Sequence, residues 1–132
     1  MPPSPLGRDV LLAFLFGGLI CCVGQALTSL YLALGAAEDA ASTLTSVSMI
    51  FLGALFTGLG LYGRLAKYAG AGTLVPITGF ANSVVSPALE FKTEGLVTGL
   101  AARIFSIAGP VVVYGVGASV VYGLIYRLMQ IL

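Results

Sequence analysis

The residues with chemistry to offer gather in and just after one uncharged stretch, AGAGTLVPITGFANS at 69–83. Thr78, Asn82, Ser83 and Ser86 bring hydroxyl and amide groups, while Gly70, Gly72, Pro76 and Gly79 weaken any helix that carries them. Asn82, Ser86 and Glu90 recur at i+4 spacing, so one helix would align them as a polar stripe, with Pro87 placed to disturb it. Hydroxyls, an amide and the free N–H groups of a helix beginning at Thr78–Gly79 are suited to meeting a small anion. Arg103 could steer that anion by its charge. The other reading of the same residues is a kinked helix whose polar groups are satisfied by its neighbours, with no ligand. Catalysis has little to work with: the chain has no His, and its carboxylates flank apolar windows rather than pairing within one. An enzyme is therefore not expected. Cys21 and Cys22 are adjacent and project about 100° apart on a helix, which suits neither a disulfide nor a metal pair. Both are expected to act as small apolar packing residues, with no metal site and no cofactor.

The elements that must position these groups belong to a membrane. Hydrophobic residues make up 58% of the chain and charged residues 8%, with mean hydropathy +1.06. Ordinary soluble domains carry roughly 25% charged residues. The fold class is an all-α integral membrane protein built as one domain. A net charge of +1 without a basic cluster argues against nucleic acid as a partner. The uncharged run from Val10 to Ala37 exceeds a signal-peptide core and reads as a retained transmembrane helix.

Charges confine the uncharged windows to 10–37, 40–63, 68–89 and 104–126, each long enough for the ~20 residues that cross a bilayer. They predict about four membrane segments: 10–34, 43–64, a discontinuous 70–90 broken by Gly and Pro, and 104–126. If all four cross, Arg8, Arg64, Lys67 and Arg127 share one side, and the positive-inside rule makes that side cytoplasmic, with both termini. Within the broken segment, Pro76 pushes Val75 toward extended geometry. A short helix over 79–85 then follows, capped by Thr78, with a restart at Pro87 capped by Ser86. Gly109–Pro110 is expected to kink the last segment. Small residues recur at i+4 as Gly18, Cys22 and Ala26, as Ala54 and Gly58, and as Gly115, Ser119 and Gly123, which suits close helix packing in the chain or against a partner. Tyr31, Tyr62, Tyr122 and Tyr126 lie near segment ends and suit interfacial anchoring.

AGAG followed by VPITGFANS and then ALEFKTEGLVTG resembles the membrane family of stage V sporulation proteins AC and AE, and FLFGGLICCVGQAL and GLGLYGRLAKYAG extend the likeness over about 11–127. ALEFKTEGL is similar to the AC branch. The tail MPPSPLGRD is shorter and less basic than the family pattern. The resemblance implies a channel or transporter subunit that moves dipicolinic acid, with calcium, across the spore inner membrane, the former forespore membrane, in sporulation and germination. It also implies two partners, an AE-type membrane sibling and a soluble AD-type dipicolinate-binding subunit. Two other functions stand beside it: a tension-gated channel, and a scaffold that conducts nothing.

Overall fold

The computed structural model describes residues 5–131, and these are helical almost throughout, with no strand among them. The order is α1 (Leu6–Ala33), α2 (Glu38–Gly58), α3 (Leu61–Ala69), α4 (Ala71–Leu74), α5 (Ile77–Glu90), a 3₁₀ turn (Lys92–Glu94), a π-helical stretch (Leu96–Ala101) and α6 (Ala102–Ile131). Three stretches are long and apolar enough to cross a membrane: Leu6–Ala33, Glu38–Gly58 and Leu96–Gln130. The expected segment 70–90 is built from α4 and α5. With 14 residues, α5 is about 21 Å long, short of a hydrocarbon core of ~30 Å.

The chain divides into two compact units, Met1–Ser86 and Pro87–Leu132. In the first, α1 and α2 form a hairpin zipped near its turn by side chains. Thr28 and Thr45 hydroxyls lie 3.0 Å apart, and those of Tyr31 and Ser48 lie 2.6 Å apart. Glu38 and Asp39 occupy the first turn of α2, where acidic groups oppose the helix dipole. The helix expected over 43–64 stops early: Gly60 adopts φ +70° and its N–H bonds to the Thr57 carbonyl, ending α2 at Gly58. A shorter, amphipathic α3 follows, with Tyr62 and Ala69 buried and Arg64 and Lys67 exposed.

Two backbone contacts hold the broken segment to this hairpin. A Cβ at residue 72 would collide with the backbone of Ala13, and one at Gly17 would stand 3.4 Å from the Gly72 Cα, so α4 rests directly on α1. A Cβ at residue 53 would lie 2.9 Å from the Thr78 carbonyl oxygen, which places α5 equally close to α2. Small residues permit both approaches. They are not the stripe expected on α1, for Gly18 has open space beside it and Cys22 is exposed. Cys21 and Cys22 are both free thiols and exposed on α1.

The helix expected over 79–85 with a restart at 87 is instead continuous. It begins at Ile77 and runs through Pro87 to Glu90. Proline there forfeits one hydrogen bond, at a cost of ~3 kcal/mol, and Ala81 before it and Ala88 after it are both buried. Thr78 therefore lies inside the first turn rather than capping it, and Ser86 caps nothing.

The second unit is simpler. Gly99 in the π-helical stretch packs against the Phe91 carbonyl, and α6 leaves it as one helix that continues through Pro110. From Pro110 to Gln130 every residue of α6 is exposed, and the uncharged part, up to Tyr126, is predominantly apolar on all sides, as a membrane span is.

Candidate functional site

Where α2, α3, α4 and α5 meet, the first unit collects polar groups that no charge accompanies. The chain reaches this place by the turn at Gly60 and then by Gly70, whose φ of +51° with ψ of −125° only glycine holds comfortably. Thr73 is fully buried on α4, its hydroxyl donating to the Gly70 carbonyl at 3.0 Å. Tyr62, 3% exposed, points its hydroxyl at the Thr73 carbonyl (2.7 Å) and at Thr78 Oγ1 (3.0 Å). Its single proton serves one of those acceptors at a time. Because α4 is four residues long, the Thr73 carbonyl depends on such an outside donor. A turn further along α5, the Thr57 hydroxyl stands 2.9 Å from Asn82 Oδ1 and 2.7 Å from the Gly53 carbonyl of its own helix, and its single proton serves one of these acceptors at a time.

The residues singled out in the sequence fall into three groups. Thr78 and Gly79 are buried at the start of α5, Gly79 lying against the Thr73 and Leu74 carbonyls. That first turn faces protein oxygens. Asn82 and Ser83 are half-buried, and the Ser83 hydroxyl donates back to Phe80 at 2.8 Å. Asn82 Oδ1 is the end of that side chain that faces Thr57. Ser86 and Glu90 are exposed on the same helix, so the i+4 stripe exists along α5. Arg103 belongs to the second unit, its guanidinium 3.8 Å from the centre of the Phe91 ring, a cation–π contact. Among the packing residues, Gly115 and Gly123 have open space beside them and Ser119 bonds back to Gly115 at 2.8 Å. Among the described residues no three His, Cys, Asp or Glu gather to hold a metal ion.

Sequence reasoning missed the two residues that organise this junction. Tyr62 is a buried hydrogen-bond donor, not an interfacial anchor, while the half-buried Tyr31 near the end of α1 shares a hydrogen bond with Ser48. Thr57 went unremarked. A usable signal was present, since both flank the Gly58–Gly60 break and a broken backbone in lipid needs donors close by. Tyr122 and Tyr126 are exposed and stacked, with ring centres 6.3 Å apart.

Comparison with known proteins agrees with this helical membrane architecture. No solved structure matches the chain. Stage V sporulation protein AC of Bacillus subtilis (strain 168) is 46% identical over 125 residues, covering 94% of this chain and 83% of that protein. The model of the SpoVAC/SpoVAEB sporulation membrane proteins matches residues 9–125, and the chain belongs to that family.

Proposed function

We propose that the chain is a subunit of a channel or transporter that moves dipicolinic acid, paired with calcium, across the spore inner membrane. The observation that carries this reading is the half-buried Asn82 on a short helix entered through broken backbone. Irregular backbone at membrane depth is tolerated where it is buried or lines a wet cavity, and an amide facing lipid would be costly. Dipicolinate carries two carboxylates and so asks for N–H and O–H donors. The Asn82 amide, with Ser83 and Ser86 further along α5, provides donors of that kind. Calcium would travel as the counter-ion of the solute rather than on a protein site. Membership of a sporulation membrane family supports the setting. An AE-type membrane sibling and a soluble AD-type dipicolinate-binding subunit are the partners this reading proposes.

Dipicolinate flux in cells or vesicles holding normal amounts of the variant tests it. Asn82→Leu is expected to block passage while insertion is retained, removing a contact worth about 1–2 kcal/mol. Normal flux would make α5 a structural kink. One observation favours a second reading, tension gating: the positive-φ joints at Gly60 and Gly70 give α3 pivots at both ends. Purified chain in liposomes that opens on osmotic downshift without partners would select it, whereas a scaffold would pass no solute in either assay.

A further inference from the structure

A cleft of about 280 Å³ lies among α1, α2 and α3 in the first unit, walled by Phe16, Ile20 and Val23 on one side and Leu52 and Phe56 on the other. A smaller hollow of about 180 Å³ shares Phe56, Tyr62 and Leu65 with it and ends at Leu61. Together they make an apolar groove along α3, on which Arg64 lies between the lining residues Leu61 and Leu65. Only Tyr62 and Thr78 bring polar side-chain atoms to its wall, and their hydroxyls already face each other at 3.0 Å. Nothing in the groove asks for water, and apolar cavities of this kind stay dry. It is equally unsuited to a dianion. A hydrocarbon chain suits it.

Charge decides which hydrocarbon. On α3, Leu61 and Leu65 line the groove, and Arg64 lies one turn from Leu61 toward the solvent side of the helix. Arg64 is exposed there. We propose that the groove holds one acyl chain of an anionic phospholipid, with Arg64 meeting its phosphate. Basic groups beside grooves between membrane helices on the cytoplasmic side recognise anionic head groups in this way.

The chain is reconstituted in vesicles of phosphatidylethanolamine and phosphatidylglycerol, released into mild detergent, and weighed intact by native mass spectrometry. The wild-type chain retains one phosphatidylglycerol in preference to phosphatidylethanolamine. Arg64→Gln keeps a bound lipid but loses about fivefold of that preference, the effect of one basic residue at the surface. Ile20→Trp and Val23→Trp, which fill the groove, lose the lipid while helicity by circular dichroism is retained. Equal retention of the two lipids by the wild-type chain, a comparison that needs no variant, overturns the proposal. So does undiminished lipid in folded groove-filling variants. A dimer mass that disappears in those variants also overturns it, by assigning the groove to a second copy of the chain.

Discussion

At the junction, the broken backbone makes an orphan of the Thr73 carbonyl, and the Tyr62 phenol supplies the donor at 2.7 Å. Tyr62→Phe keeps the ring and its packing but leaves that carbonyl buried without this donor. Such a loss costs about 1–3 kcal/mol. Thermal unfolding in detergent is expected to fall for Tyr62→Phe and to be unchanged for Tyr68→Phe, whose ring is 66% exposed. Equal midpoints would mean the hydroxyl does not hold α4. Thr57 stands in the same relation to Asn82, which ties the proposed solute contact to the packing of α2. A Thr57→Val variant should therefore lower flux less than Asn82→Leu while still perturbing it, since the amide remains but loses its partner.

At the scale of elements, the two families of small residues do different work. Gly72 lies against the backbone of Ala13, so even Gly72→Ala must push α4 off α1, and the purified variant should lose thermal stability and aggregate in detergent. Gly115 and Gly123 face open space, and Gly115→Leu should leave the isolated chain as stable as before. If that stripe on α6 packs against a partner, the same variant fails to co-purify with the complex. Unchanged assembly would assign that face to lipid. The contrast is informative because both glycines look alike in sequence, and only the neighbouring backbone separates them.

The whole molecule poses a question of sidedness. Three stretches are long enough to cross, and α3 to α5 form a compound segment between the second and the last. Four of the six basic residues, Arg8, Arg64, Lys67 and Arg127, share one side only if that segment crosses. Reporter fusions within 36–41 and at the C-terminus are accordingly expected to label opposite sides. Labelling on the same side would make α4–α5 a dip that returns, with Arg127 left outside.

Much of this was legible in the sequence, and for a physical reason. Lipid offers no hydrogen bonds, so apolar windows between charge groups must become helices, and α1, α2 and α6 lie where those windows are. Glycine and proline likewise announced a break near Gly70 and Pro76, because their backbone limits act locally. The likeness of VPITGFANS and ALEFKTEGL to one family was equally local and readable. The rest depended on neighbours. Gly17 rather than Gly18 meets α4 because of how α1 is turned, and Tyr62 is buried because α4 folds back over it. A rotation of one residue on a helix exchanges a packed face for an exposed one. Apolar composition alone cannot set that rotation when every face of the helix is apolar; the tertiary contacts decide it.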